Sequence, residues 1–169
     1  IIIGSGAEYL YGLIIELLGR DKVYAIESPS YHKLEQIYKT QNAAYELLPL
    51  SDDGIDSAAL ASSKADVLHT TPYRSFPTGI TATASKRHEY IRWADKNSGF
   101  IIESDYGSEF SVSPQPMETL FALSKHENVI YLNTFSKTIS PSIRVGYMVL
   151  PKPLTERFYQ KLGFYSCTV

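Results

Sequence analysis

The sequence has a single cysteine, little net charge and no long apolar run. Because Cys167 stands alone, an intramolecular disulfide and a cysteine-based zinc site are both excluded. The four histidines are scattered and form no pair at helical spacing, so no metal site is predicted. A net charge of −2 gives no electrostatic reason to expect nucleic-acid binding by these residues. No apolar run approaches membrane-spanning length, so no membrane partner is predicted.

What remains is the composition of an ordinary globular chain, with 44% hydrophobic and 20% charged residues. A length of 169 residues fits one domain or most of one. The chain opens on Ile1 rather than methionine, and its first residues lack the charged region and cleavage site of a signal peptide. We therefore expect residues 1–169 to be a single fragment of a longer protein.

Apolar runs alternate with helical patterns along the chain. Strands are predicted at residues 1–3, 23–26, 45–50, 66–70, 100–103, 129–132 and 144–150. Helices are predicted at residues 10–18, 31–38, 55–61, 84–97, 117–124 and 154–162, and residues 105–116 are irregular. This alternation predicts an α/β fold, in which a parallel sheet is covered by helices on both faces.

Polar side chains follow several of the predicted strands. Parallel sheets bind ligands outside the carboxyl ends of their strands. The residues at these ends are, in chain order, Tyr31, residues 72–79, Asp105, Tyr106, Ser136 and Lys137. We therefore expect them to meet in one site.

The segment of residues 133–140 carries the most specific chemistry. It places Lys137 among hydroxyl side chains directly after a buried strand, and Arg144 follows. A lysine that loses its solvation can become the nucleophile of Schiff-base chemistry, and hydroxyls with a guanidinium can hold a phosphate. The same residues are also compatible with a solvated lysine in a polar loop and a surface ion pair at Arg144.

Three shorter features extend this hypothesis. The small residues 4–7 could direct backbone N–H groups at an anion, or they could simply cap the first helix. Tyr31 could stack on a planar cofactor or be an ordinary tyrosine. Asp105 could keep a ring nitrogen protonated or could stabilise a turn, and Tyr106 could hydrogen-bond a phenolic oxygen.

Taken in order, these features resemble the fold type I pyridoxal-phosphate enzymes. More narrowly, they resemble the aminotransferase-like domain of MocR-type regulators in the GntR superfamily. The resemblance runs from residue 4 to about residue 151, and its specific stretches are TPYRSFPTG, IIESDYGSEF and TFSKTISPSIRVGY. It implies the large domain of that fold, which is a three-layer α/β/α sandwich whose mostly parallel sheet has one antiparallel strand. It also implies pyridoxal 5'-phosphate as the cofactor.

The resemblance assigns a role to each matching residue. Lys137 would form the internal aldimine, Tyr31 would stack on the pyridine ring, and Tyr106 would bond the phenolic oxygen. Asp105 would pair with the ring nitrogen. The cofactor phosphate would be held by Ser5, Gly6, Ala7, Thr134, Ser136 and Arg144.

Two departures from the family pattern bear on activity. The family has two adjacent acids before the tyrosine, where this chain has Ser104 and Asp105. We assign the ring nitrogen to Asp105 because it is the only aspartate there; a serine in that role would give a weaker electron sink. Phe76 stands where free-standing aminotransferases carry asparagine before Pro-Thr-Gly, which favours the regulator.

The resemblance implies a cofactor-sensing effector domain of a cytoplasmic, homodimeric bacterial regulator that responds to an amine or amino acid. DNA would be bound only by a winged-helix domain before Ile1, and a small domain would follow the carboxyl end. The alternatives are a catalytic aminotransferase acting on an amino acid or amine, and a packing module without cofactor. Because a second subunit and the small domain usually complete such sites, we expect these residues alone to hold the cofactor weakly or not at all. We also expect them not to transaminate.

Overall fold

A mixed sheet forms the centre of the protein in a computed structural model that describes residues 1–111, 117–167 and 169. Part of the predicted irregular stretch 105–116 therefore lies outside the described residues. The strands of the described part are β1 (Ile2–Gly4), β2 (Val23–Ser28), β3 (Ala44–Ser51), β4 (Gly54–Ile55), β5 (Val67–Thr70), β6 (Phe100–Asp105), β7 (Val129–Thr134) and β8 (Gly146–Val149).

The strands lie in the order β1-β8-β7-β6-β5-β2-β3-β4. Neighbours from β7 to β3 are parallel, as strands joined by crossover connections must be. β8 runs antiparallel to both β1 and β7, which confirms the predicted mostly parallel sheet with its antiparallel strand. The two-residue β4 adds an antiparallel pair at the far edge, at the start of a segment for which the sequence predicted only a helix.

Helices cover both faces of this sheet. They are α1 (Ala7–Leu18), α2 (His32–Thr40), α3 (Ser57–Ser62), α4 (Ala84–Asn97), α5 (Leu120–Leu123) and α6 (Lys152–Leu162). Buried side chains of α1, α2 and α6 form one core with the sheet, and those of α3, α4 and α5 form the other. The predicted three-layer sandwich is thereby confirmed. Across the described ranges, no helix combines the length and apolarity needed to cross a membrane.

The alternation of side chains along β6 decides which residues face the candidate site. Successive residues of a strand point to opposite faces of the sheet. Ile102 packs into the α1 core and Ile101 into the α4 core. Ser104 shares the face of Ile102, and its Oγ lies 2.9 Å from the Tyr11 hydroxyl on α1. Asp105 shares the opposite face with Ile101.

Glu103 is buried beneath α5 and joins that helix to the sheet. Its carboxylate accepts hydrogen bonds from the backbone N–H groups of Leu120 and Phe121, at 2.8 and 2.9 Å. N–H groups in the first turn of a helix have no partner within the helix, so Glu103 satisfies two of them. Burial raises the pKa of Glu103 to about 7, although these bonds and the Arg87 guanidinium 4.0 Å away lower it.

Replacing Glu103 with glutamine is expected to remove a pH dependence of stability. The folded chain keeps a proton on Glu103 at pH values where the unfolded chain, with an ordinary pKa of 4.5, releases it. The free energy of unfolding therefore falls as pH rises between these two values, by about 3 kcal/mol in total. Urea unfolding at about pH 5 and pH 8 measures the free energy of unfolding of both proteins. From the lower to the higher pH, the stability of Glu103→Gln relative to wild type should rise by about that amount. A difference between the two proteins that does not change with pH would contradict this account.

Candidate cofactor site

A cleft of about 560 Å³ lies at the carboxyl ends of β2, β5, β6 and β7, where a parallel sheet binds ligands. Most of the residues predicted for the site line it, namely Ala7, Tyr31, Tyr106, Thr134, Ser136, Lys137 and Arg144. Ser5 is exposed in the turn before α1, and Gly6 is buried beside Arg144. Asp105 is the one predicted residue that the structure places on the other face of the sheet.

Lys137 lies in the turn that follows β7. Its Nζ is 4.4 Å from the centroid of the Tyr106 ring and donates to the Tyr106 carbonyl oxygen at 3.4 Å. Gly107 has a φ of 111° and makes room for this approach, since a Cβ there would lie 3.3 Å from Nζ. The Lys137 side chain is exposed. The described residues therefore bring the lysine and Tyr106 together but do not bury the amine as the sequence argument expected.

The end of the cleft around Arg144 is suited to an anion. The Arg144 guanidinium lies against Gly6, where a Cβ would come within 3.0 Å of Nη2. Gly6 also has a φ of 84°, a conformation that glycine adopts without strain. Thr134 is buried, and its Oγ1 has no hydrogen-bond partner among the described residues. A buried hydroxyl without a partner is costly, and a phosphate oxygen would satisfy it. The residues present thus fit the phosphate of the predicted cofactor.

Glu8, which the sequence analysis did not single out, lies at the same end of the cleft. Its Oε2 is 3.4 Å from Arg144 Nη2, and its Oε1 accepts from Lys33 Nζ at 3.0 Å and from the Tyr31 hydroxyl at 3.3 Å. The hydrogen bond from Lys33 is the main cause that holds the pKa of Glu8 below its usual value, and Arg144 adds to it. An anion that binds Arg144 must therefore compete with a carboxylate. The sequence feature that could have pointed to Glu8 is its position in the first turn of a helix, where the helix dipole favours an acidic residue.

Ser104, and not Asp105, lines the cleft. Asp105 is bonded elsewhere: its carboxylate accepts from the Tyr131 hydroxyl at 2.8 Å, from the Ser108 hydroxyl at 2.5 Å and from the Ser108 backbone N–H at 3.1 Å. The role assigned to Asp105 at the ring nitrogen therefore does not agree with its position. The physical reason is the alternation of β6, which directs neighbouring side chains to opposite faces of the sheet.

A buried hydrogen-bonded chain lies behind Ser104. Its Oγ is 2.8 Å from His69 Nε2, and His69 Nδ1 is 2.8 Å from the Tyr38 hydroxyl. Burial lowers the pKa of His69 to about 3, so its imidazole is neutral, with one ring nitrogen that donates and one that accepts. His69 is thus a hydrogen-bonded histidine of the core that also lines the cleft.

Glu27 is a second acidic residue of the cleft that the sequence analysis missed. It is buried at the carboxyl end of β2, which raises its pKa, and it accepts hydrogen bonds from the Thr70 hydroxyl, from the Thr71 N–H at 2.9 Å and from the Ser75 hydroxyl at 2.5 Å. Glu27 thereby holds the segment 71–79 against the sheet. The available signal was a glutamate that continues an apolar strand, where only a bonded carboxylate is tolerated.

Residues 1–168 match the family described as aminotransferase class I and II. The uncharacterized HTH-type transcriptional regulator YdeL of Bacillus subtilis is 32% identical over the full chain, which covers 36% of that protein. The probable rhizopine catabolism regulatory protein MocR of Rhizobium meliloti is 25% identical over 94% of the chain, and 32% of that protein is covered. The chain thus spans about a third of the length of these curated relatives.

Solved aminotransferases share the fold. The kynurenine aminotransferase of Pyrococcus horikoshii, solved in complex with PMP, matches 99% of this chain and 44% of its own, with a TM-score of 0.81 and 27% identity. LysN of Thermus thermophilus, solved with N-(5'-phosphopyridoxyl)-L-leucine, matches 95% of this chain and 44% of its own, with a TM-score of 0.80 and 25% identity. The family and these complexes indicate pyridoxal phosphate as the cofactor, in agreement with the sequence prediction. The chain belongs to the aminotransferase class I and II family, and its curated relatives include regulators of the MocR type.

Proposed function

We propose that this chain is the pyridoxal-phosphate-binding effector domain of a bacterial transcriptional regulator of the MocR type, with Lys137 as the covalent anchor. The cleft supports this because it brings a lysine, an unpartnered buried hydroxyl and an arginine of residues 134–144 together with aromatic rings from two other segments, Tyr31 and Tyr106. The printed descriptions of the relatives, which name transcriptional regulators, support the regulatory part of the proposal.

The residues predicted for the site have the following roles in this proposal. Thr134, Ser136 and Arg144 hold the phosphate together with the turn before α1, at residues 5–7. Tyr31 provides a ring surface at the side of the cleft. Tyr106, which lies beside Lys137, would bond the phenolic oxygen. When bound, the cofactor supplies an aldehyde that amines can bond and a ring that can accept electrons.

Ser104 is the observation that favours a sensor over an enzyme. Transamination requires a group that keeps the ring nitrogen protonated, because the protonated ring is the electron sink. The described cleft offers a neutral hydroxyl at the end of β6, and the carboxylate of Asp105 faces away from it. A catalytic aminotransferase is the second candidate, favoured by the solved neighbours, which are enzymes. In that case Ser104 would have to keep the ring nitrogen protonated, which a carboxylate does more readily than a hydroxyl.

The curated relatives are about three times as long as this chain, and we base the proposed remaining parts of the regulator on them. A winged-helix domain preceding residue 1 would bind DNA, and a small domain following residue 169 would complete the cleft. The protein would be a cytoplasmic homodimer whose effector is an amine or an amino acid. These parts rest on the regulators that the chain resembles over about a third of their length.

Replacing Arg144 with glutamine is expected to weaken binding of pyridoxal phosphate roughly tenfold or more, because a charge-assisted bond to the phosphate is lost. Equilibrium dialysis of the purified chain, with the cofactor followed by absorbance, measures the dissociation constant. Arg20→Gln is the matched control, since Arg20 pairs with Glu16 on the exposed side of α1. The absence of saturable binding by the wild-type full-length protein would contradict the proposed function. Equal weakening in both variants would remove Arg144 from the phosphate site.

A further inference from the structure

We infer that Ser104 donates a hydrogen bond to an unprotonated ring nitrogen, so that this cleft selects a neutral pyridine ring. The inference rests on the proposed function and deepens it by naming the protonation state of the ligand that the site accepts. It follows from counting the protons in the buried chain formed by Tyr38, His69, Ser104 and Tyr11.

The first step fixes the direction of the hydrogen bond between Tyr38 and His69. Tyr38 is buried, and its hydroxyl has no hydrogen-bond partner other than His69 Nδ1 among the residues described. If Nδ1 carried the proton, the Tyr38 proton would be buried without an acceptor, at a cost of about 1–3 kcal/mol. Tyr38 therefore donates to Nδ1. The neutral imidazole then carries its proton on Nε2, which donates to Ser104 Oγ.

The second step concerns Tyr11. Its hydroxyl lies 2.9 Å from Ser104 Oγ, and burial raises the pKa of Tyr11 to about 12, so it keeps its proton. A serine oxygen can accept two hydrogen bonds and donate one. With His69 Nε2–H donating to Ser104, the Tyr11 and Ser104 hydroxyls share one hydrogen bond, in which either oxygen can be the donor. We assign the Tyr11 proton to Ser104 Oγ, which leaves the serine proton to point into the cleft.

The third step asks what that proton can bond. An unprotonated pyridine nitrogen is an acceptor and matches it, whereas a protonated ring nitrogen is a donor and would oppose it. The two carboxylates that line the cleft are engaged elsewhere, Glu8 with Lys33 and Arg144 and Glu27 with the segment 71–79. The described cleft thus holds no free acid beside Ser104, and the neutral ring is the form that fits.

The test uses pyridoxal phosphate labelled with ¹⁵N in the ring, bound to the purified chain and observed by ¹⁵N NMR. We expect wild type to show the chemical shift of an unprotonated pyridine throughout the neutral pH range. Ser104→Asp should move the signal to the protonated position, because a carboxylate then faces the ring. Asp105→Asn is the matched control one residue away, and its signal should stay where wild type has it.

Ser104→Ala guards against misfolding of the aspartate variant. It removes the serine hydroxyl, which is the donor to the ring and also the acceptor for His69, without adding a charge. We therefore expect binding several-fold weaker than wild type with the nitrogen still unprotonated. A protonated nitrogen in wild type would overturn the inference while leaving cofactor binding intact. A shift in Asp105→Asn but not in Ser104→Asp would also overturn it. Where these residues alone do not bind, the same spectrum is taken of the full-length protein, and its failure to bind the labelled cofactor would instead overturn the proposed function.

Discussion

Replacing Lys137 with alanine is expected to abolish the covalent attachment of pyridoxal phosphate to this chain. Lys137 is the lysine that lines the cleft within the described residues, and its Nζ lies over the Tyr106 ring. The amine must lose its proton before it can attack the cofactor's aldehyde carbon, and among the described residues no other side chain of the cleft offers an amine. We expect wild type to gain the visible absorbance of a lysine-bound cofactor and, after borohydride reduction, the corresponding mass.

The alanine variant should show neither signal, and peptide mapping of wild type should place the added mass on Lys137. Lys33→Ala is the matched control, because Lys33 is bonded to Glu8 at the anion end of the cleft. That variant should keep the covalent attachment. A mass increase that persists in Lys137→Ala would show that another amine is the anchor. The absence of both signals in the wild-type full-length protein would contradict the proposed function itself.

The second large effect concerns His69 and acid stability. The pKa of His69 is about 3 in the folded chain, against an ordinary value of 6.5. Between these two pKa values the unfolded chain binds a proton at His69 and the folded chain does not. The free energy of unfolding therefore falls as pH falls from about 6.5 toward about 3. Because a tenfold change in proton affinity is worth about 1.4 kcal/mol, acidification to about pH 5 should cost about 2 kcal/mol through this residue alone.

His69→Gln is expected to lack this loss. At neutral pH the variant should be less stable than wild type by about 1–3 kcal/mol, since two buried hydrogen bonds are disturbed. The difference should shrink by about 2 kcal/mol at about pH 5, as measured by urea unfolding. Tyr38→Phe is the control, because it removes one partner of His69 but keeps the imidazole, and it should retain the acid-induced loss. If the difference in the free energy of unfolding between His69→Gln and wild type stays constant with pH, His69 is not buried as a neutral imidazole.

The architecture could be predicted because its signals are local. Apolar runs of strand length, separated by helical periodicity, are sufficient to indicate an α/β sheet with helices on both faces. The rule that ligands lie at the carboxyl ends of parallel strands then brings Tyr31, Tyr106 and Lys137 to one cleft, and the structure does so. The predicted helix over residues 117–124 is only one turn, since Thr119 caps α5 by accepting from the Ala122 N–H.

The choice between Ser104 and Asp105 could not be made from local signals. A shift of one residue along a strand moves a side chain to the other face of the sheet. The apolar run of β6 is continuous from Phe100 to Ile102, and the next three residues are all polar, so nothing local shows where Glu103, Ser104 and Asp105 point. The contacts of Glu8 with Lys33 and Arg144 were out of reach for another reason, because they join residues distant in sequence.

The pairing of β1 with β8 has a consequence for the order of folding. Gly4 lies opposite Gly146, 142 positions away in the chain, and the anion end of the cleft is built directly on this pair of strands. Closing so long a loop is among the slower events of folding, because the chain loses conformational entropy before the stabilising contacts between the strands form. Gly6 and Arg144 can meet only after that closure. A phosphate bound between them would therefore bind only chains in which β1 has paired with β8. By mass action, that binding would stabilise the folded state.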